Sequence, residues 1–246
     1  MPYLYIKGGT MTQKNFLAVK NDPNGILEVT GGEISSDHSA VQNWFKATIT
    51  GGKITGQLWT DSYVEGESVG ETIIGGNAEF NGEIVMDITG NIAPALRITG
   101  GTLNITNVRI TTAAAAVGAE PAVSGGIFNT EVKDEWCVNG FVPVKNDDGT
   151  YGVELDAKIV ATEGVLGESI KFYILADKGG YRIRVTLNGE EVIYEGVNYE
   201  KDGVEYYAYI LDLPPQYLDA DLKIELINSD DEAIQTVNYS FLKYCE

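Results

Sequence analysis

The sequence predicts an all-β chain: a right-handed parallel β-helix, or solenoid, over residues 1-154, followed by a small immunoglobulin-like β-sandwich over 155-246. Three observations predict it. A β-branched residue followed by a glycine pair recurs six times in the first part, the composition changes near Tyr151, and the second part alternates apolar and polar residues at strand period.

The glycine pairs decide the first part. Ile6-Lys7-Gly8-Gly9, Val29-Thr30-Gly31-Gly32, Ile49-Thr50-Gly51-Gly52, Ile73-Ile74-Gly75-Gly76, Ile98-Thr99-Gly100-Gly101 and Val123-Ser124-Gly125-Gly126 lie 23, 20, 24, 25 and 25 residues apart. That is a solenoid period. Apolar residues usually follow each pair, as in Glu33-Ile34, Lys53-Ile54 and Ile127-Phe128, so strand enters and leaves a glycine corner. A single coil cannot bury its apolar face, but stacked coils share a core, and the six corners predict about six coils. An open sheet would turn every 8 to 12 residues or so; Asn24-Gly25 and Asn81-Gly82 read as two such turns, too few to displace the repeat. No Leu-x-x-Leu-x-Leu frame accompanies the period, which excludes a leucine-rich horseshoe.

Twenty-two of the 29 glycines fall in 1-154, and ten of the 14 tyrosines in 155-246. In the second part Tyr181, Ile183, Val185 and Leu187 alternate with Arg182, Arg184 and Thr186, Asn188-Gly189 makes a hairpin turn, and Val192-Ile193-Tyr194 returns. Ile170–Ile174 and Leu222–Leu226 alternate likewise. About seven strands in about 90 residues predict a sandwich that lacks the Cys…Trp…Cys core of antibody domains.

Phe16-Leu17-Ala18-Val19-Lys20-Asn21, the corner spacing, and the closing stretch from Gly125-Gly126-Ile127-Phe128 through Asn139-Gly140-Phe141 to Asp148-Gly149-Thr150-Tyr151-Gly152-Val153 carry a resemblance. They resemble the Gly-Gly-repeat β-solenoid surface proteins of gut Firmicutes, similar modules of which occur in phage virion proteins. The likeness covers nearly all of residues 1-154. The stretch from Leu213-Pro214-Pro215 to Tyr239-Ser240-Phe241 is more loosely similar to the β-rich domains that follow such solenoids. The resemblance implies an extracellular or cell-surface location, with a phage particle as the alternative, and implies no catalytic residues.

Charge and motifs narrow the chemistry. Seventeen basic residues against 36 acidic ones give a net charge of -19, which repels phosphate backbones and argues against nucleic acid as a partner. No stretch approaches the roughly 20 apolar residues that span a bilayer, so no membrane insertion is expected. The start, Met1-Pro2-Tyr3-Leu4-Tyr5, lacks the pattern of a signal peptide, and a corner as early as Gly8 reads as part of a longer protein. Cys137 and Cys245 read as two separate thiols, with a bridge between domains as the alternative. No phosphate-cradling loop is present. His38, the only histidine, excludes a His-dependent triad or a multi-histidine metal site, and no metal or cofactor is expected.

Many β-solenoids cleave polysaccharides, so a lyase or glycoside hydrolase is the enzymatic alternative. Arg97 and Arg109 are the solenoid's only arginines; Arg97 reads as a solvated strand residue rather than a base. Asp61, Glu65, Glu67 and Glu71 are the best carboxylates for a hydrolase pair or a weak Ca²⁺ site, and a solubilising loop explains them as well. The aromatics give a further candidate, a carbohydrate-binding platform of Trp59 and Tyr63 with Asp61 beside them. Trp44 and Phe45 read as solenoid core or coil-stacking residues, since of two neighbouring strand positions one must point inward. The expected function is a non-catalytic structural or adhesive module whose partner is a cell-envelope or host glycan or protein.

Overall fold

The computed structural model of the chain describes residues 1–63 and 68–240. It is all-β, 65% strand with one short helix, and includes a β-solenoid of about five turns. The chain divides into two compact units, Met1–Glu154 and Leu155–Glu246.

The first unit holds β1 (Tyr3–Ile6), β2 (Thr10–Gln13), β3 (Val19–Asn21), β4 (Ile26–Asn43), β5 (Lys46–Ser62), β6 (Glu71–Ile74), β7 (Glu79–Ile88), β8 (Ala95–Ile110), β9 (Pro121–Phe128), β10 (Phe141–Lys145) and β11 (Tyr151–Leu155). The strands β1 to β9 pair in parallel, coil on coil, with each coil folded into three walls. Six corners therefore frame about five turns rather than six coils, because a turn needs a corner at each end. Parallel register stacks like on like. Ile6, Val29, Ile49, Ile74, Ile98 and Val123 form one inward ladder, and Met11, Ile34, Ile54, Phe80, Leu103 and Phe128 a second. Both ladders belong to one continuous core.

The two glycines of a corner have different tasks. The second, from Gly9 to Gly126, has φ between +56° and +111°, a region L side chains rarely adopt. The first lies against the coil below: a Cβ on Gly31 would sit 2.4 Å from the Lys7 carbonyl oxygen, and one on Gly51 2.4 Å from that of Thr30. Asn24-Gly25 does turn, with Gly25 N–H donating to the Asp22 carbonyl at 2.9 Å. Asn81-Gly82 does not. It lies inside β7, where a Cβ on Gly82 would meet the Gly56 carbonyl oxygen at 1.9 Å, so that pair reflects close stacking rather than a hairpin.

Polar residues also stack inside the solenoid. Asn21 and Asn43 pair in register, and Asn21 Nδ2 donates to Asn43 Oδ1 at 2.7 Å and to the Gly25 carbonyl at 2.9 Å. Asn43 Nδ2 in turn donates to the Glu71 carbonyl at 2.8 Å and to Thr72 Oγ1 at 3.0 Å. Side-chain amides thus tie backbone carbonyls and side chains of successive coils together inside the stack.

The second unit holds β12 (Ile159–Leu166), β13 (Ile170–Ala176), β14 (Arg182–Leu187), β15 (Glu190–Glu195), β16 (Val197–Lys201), β17 (Val204–Leu213), β18 (Asp221–Ile227) and β19 (Ala233–Ser240). They form two four-stranded antiparallel sheets, β12-β13-β17-β16 and β15-β14-β18-β19. Both sheets contribute to one core: Phe172, Ile174, Tyr209 and Leu211 from the first, Ile183, Val185, Ile224 and Leu226 from the second. The β14–β15 hairpin turns at Asn188-Gly189, with φ of 52° and 83°, as the sequence predicts.

Candidate functional site

The third wall of the solenoid carries most of the sequence's candidate residues. It is built from β4, β5, β7 and β8, whose register sets Gln42, Trp59, Val85 and Arg109 in one ladder and Asp61 beside Asp87 in the next. Just before the first ladder Leu58, Ile84 and Val108 point into the lumen. Alternation along a strand therefore places the polar and aromatic side chains on the outer surface.

Trp59 is held at two points. Its Nε1 donates to Gln57 Oε1 at 3.0 Å, and the Arg109 guanidinium lies 5.4 Å from its ring centroid. Both partners converge on Glu83: Gln57 Nε2 donates to Oε2 at 2.6 Å, while Asn107 Nδ2 and Arg109 Nε donate to Oε1 at 2.8 Å and 3.4 Å. These donors hold the Glu83 carboxyl below its ordinary value against the opposing effect of burial. Val85, between Trp59 and Arg109 in the ladder, is fully buried.

Asp61 has a different setting. It is 4% exposed, its Oδ2 accepts from Trp44 Nε1 at 2.9 Å, and its buried Oδ1 has no hydrogen-bond partner among the described residues. Burial pushes its carboxyl up to about 6, the charge of Asp87 adds to the rise, and the Trp44 bond opposes it. Asp87 Oδ1 accepts from Thr111 Oγ1 at 2.7 Å and from the Ile88 N–H at 2.9 Å. Tyr63 stacks on Trp44 with centroids 5.6 Å apart and planes at 16°, and Lys20 Nζ lies 4.4 Å from the Trp44 ring centroid. Trp44 and Phe45, each half-buried between β4 and β5, lie outside the fully buried core, and Trp44 stacks against residues of neighbouring coils instead.

Glu65 and Glu67 lie outside the described residues, as does Cys245; among the described residues Cys137 has no disulfide partner. Glu71 is 3.7 Å from Arg97 in a largely exposed ion pair. His38, exposed, follows Ser36 on β4, and its backbone N–H donates to Ser36 Oγ at 3.0 Å. Among the described residues no three His, Cys, Asp or Glu side chains converge on a metal position.

Sequence reasoning missed the Glu83 network and the asparagine ladder. The signal was present: Gln57 and Glu83 are 26 residues apart, Glu83 and Asn107 24, and Asn21 and Asn43 22. Polar residues spaced at the coil period are neighbours in a solenoid, just as glycines are. Also unforeseen is a cavity of about 270 Å³ at the upper end of the third wall, floored by Ile84, Ile98, Ile105, Val123 and Phe128 with Trp136 on its wall. It opens where β9 is followed by the segment 129–136 instead of a further third-wall strand. There the Asn129 side chain replaces a backbone neighbour, accepting from the Ile105 N–H at 2.8 Å and donating to its carbonyl at 3.1 Å.

No protein-family model, curated protein or solved structure matches the chain.

Proposed function

We propose that the chain is a non-catalytic structural and adhesive module of a bacterial cell-surface or secreted protein or of a phage particle, with the solenoid as a stiff spacer. The observation that carries this reading is the Glu83 network. Side chains that would be available for catalysis on an open wall are tied to the coil above or below, where they stiffen the stack. Asp61, the carboxylate best tuned for acid catalysis, lies 4% exposed beneath its neighbours, whereas a general acid has to reach the bond it protonates. The resemblance to Gly-Gly-repeat surface proteins supports the location.

The second unit, in this reading, is an immunoglobulin-like connector. Lettered in chain order with β15 as C′, its sheets run A-B-E-D and C′-C-F-G, which is the immunoglobulin arrangement with one added strand. The test of the whole proposal is to assay the chain against a panel of polysaccharides and against envelope preparations and host proteins. Retention without cleavage is expected. Release of oligosaccharides from any polymer, with no retention on any surface, refutes it.

A specific observation favours carbohydrate as the bound partner. The half-exposed Tyr63 ring lies parallel to Trp44, beside Asp61, and offers a flat apolar surface to a pyranose face. On a glycan array Tyr63→Ala should lose the signal, and Trp59→Ala should weaken it. Unchanged binding in both variants removes the platform.

A further inference from the structure

The upper end of the solenoid leaves one rung of its third wall unfilled. β8 runs through two walls, but β9 pairs with it only from Leu96 to Leu103. The Asn129 side chain then takes the backbone of Ile105, and among the described residues no strand pairs with the upper side of residues 106–110. This edge is internal to the chain, which continues through segment 129–136 to β10 and β11, so it belongs to the fold and not to a terminus. An unpaired strand edge is a template for a further strand.

The side chains show the same gap. Leu58, Ile84 and Val108 form one inward row of the third wall, and Thr60, Met86 and Ile110 form the next. The lower members of both rows are fully buried, whereas Val108 and Ile110 are only half-buried. What each row lacks is a member in the next coil. The cavity of about 270 Å³ lies at that level, with Ile84, Ile105, Val108 and Phe128 around it and Trp136 on its wall. An apolar cavity of about 150 Å³ holds benzene, so this one has room for a phenyl side chain.

The outer surface sets the residue between the two missing ones. Arg109 lies between Val108 and Ile110 and points outward, 41% exposed, with Nε 3.4 Å from Glu83 Oε1 and its terminal nitrogens without a hydrogen-bond partner among the described residues. A residue in register with it on an added strand stands on the same surface, where a carboxylate matches the guanidinium. Asn107, exposed one position before Val108, is matched by a polar residue.

We propose that this edge is a docking site for an extended segment of a partner protein, which adds as a strand parallel to β8 and supplies the missing rung. In register with residues 107–110 the segment reads polar, large apolar, acidic, apolar. Its large apolar side chain fills the cavity, its acid meets Arg109, its last residue covers Ile110, and main-chain hydrogen bonds to the β8 edge supply the join. The parallel sense is that of every other strand paired with β8. The inference extends the adhesive reading above to a protein ligand, at a site distinct from Tyr63 and Trp44, and stands whether or not a glycan binds there.

The test is calorimetric titration of the whole chain with the blocked peptide Thr-Asn-Phe-Glu-Val-Thr, for which a dissociation constant below about 1 mM is expected. Replacing the peptide's phenylalanine by alanine should weaken binding at least about tenfold, and Thr130→Trp, which sets an indole at an exposed position of the cavity lining, should do the same. Arg109→Gln should weaken binding of this peptide about fivefold and leave that of its glutamine counterpart unchanged, a coupling that loss of folding does not produce. No heat of binding at about 1 mM peptide overturns the proposal. So does equal binding of the reordered peptide Thr-Phe-Val-Asn-Glu-Thr or of N-acetylphenylalanine amide, either of which would mark a pocket for small apolar molecules. Self-association of the chain that the peptide displaces also overturns it, since the occupant is then a second copy.

Discussion

The two units solve the same problem, burying strands, with opposite chemistry. In the solenoid each residue meets its counterpart one coil away, so position along the coil dictates type: isoleucine above isoleucine, asparagine above asparagine, glycine above glycine. In the second unit two sheets share one core, and strands need only an apolar side turned toward it. Its Gly189 and Gly203 mark hairpin turns and its polar residues stay largely outside. The solenoid is therefore intolerant at its corners and internal polar ladders, while the second unit is intolerant only in its core. All three tryptophans, Trp44, Trp59 and Trp136, lie in the first unit, so indole fluorescence follows the solenoid alone during unfolding.

The largest difference should appear at glycine. Gly51→Val places a branched side chain where even a Cβ is 2.4 Å from the Thr30 carbonyl oxygen, and should cost the solenoid about 4 kcal/mol. Gly189→Ala, at φ +83° with nothing within 4 Å of the new Cβ, should cost the second unit only about 1 kcal/mol of backbone strain. Urea unfolding followed by indole fluorescence for the first, and for the second by the part of the far-ultraviolet dichroism change that indole fluorescence does not accompany, measures both. Equal losses would mean that the corners are turns like any other.

The internal ladder gives the next effect. Asn43→Ala removes the acceptor of one Asn21 bond and the donor to the Glu71 carbonyl and to Thr72 Oγ1 in the interior, and about 3 kcal/mol should be lost in the indole transition. A loss below about 1 kcal/mol would show that water enters and takes over the bonds.

Acidification should separate the units by sign. The Asp61 carboxyl, pushed up to about 6 in the folded chain, is ordinary when unfolded, near 3.9. Between those values the folded state keeps a proton that the unfolded state has lost. Solenoid stability thus falls as pH rises through this window and stays lowered above it. Asp61→Asn should raise stability by roughly 2 kcal/mol at pH 8 and by nearly nothing at pH 3. Glu225 in the second unit is the reverse case: Lys223 beside it, with Arg184, holds its carboxyl below the ordinary value. Its contribution is present above its unfolded value and is lost as pH falls through the folded one. Glu225→Gln should therefore cost stability at pH 7 and little at pH 3, and matching pH profiles for the two variants would refute the assignment.

The solenoid was legible because stacking writes its demands at a fixed interval. Gly31, Gly51 and Gly125 recur for one steric reason, a carbonyl oxygen of the preceding coil 2.4 Å from where a Cβ would stand, and the interval of the corners sets the coil. The hairpin at Asn188-Gly189 was legible because two consecutive positive φ values select those residues. Asn81-Gly82 misled because the same dipeptide serves another cause, the close approach of Gly56. The site was read less completely. Trp59, Asp61 and Tyr63 stand out in the sequence as residue types, but apart from Gln57 their partners are 17 to 50 residues away, and Glu83, which ties Gln57 to Arg109, has no distinctive type. Only the coil period, applied to polar residues as well as to glycines, would have joined Gln57, Glu83 and Asn107.

The smallest effect tests whether the second unit has any internal polar bond comparable to those of the solenoid. Tyr209 is fully buried on β17, and its hydroxyl donates to the Tyr181 carbonyl at 2.8 Å. Burial pushes that hydroxyl well above its ordinary value, so it remains a donor at every pH at which the chain is folded. Tyr209→Phe keeps the ring in the core and removes one bond, and about 1 kcal/mol should be lost. The Tyr181 carbonyl is partly buried, and water is expected to replace the donor in part, which keeps the figure low. A loss approaching that of Asn43→Ala would show that the second unit, too, rests on a buried polar link, and that the contrast between the units is one of number rather than kind.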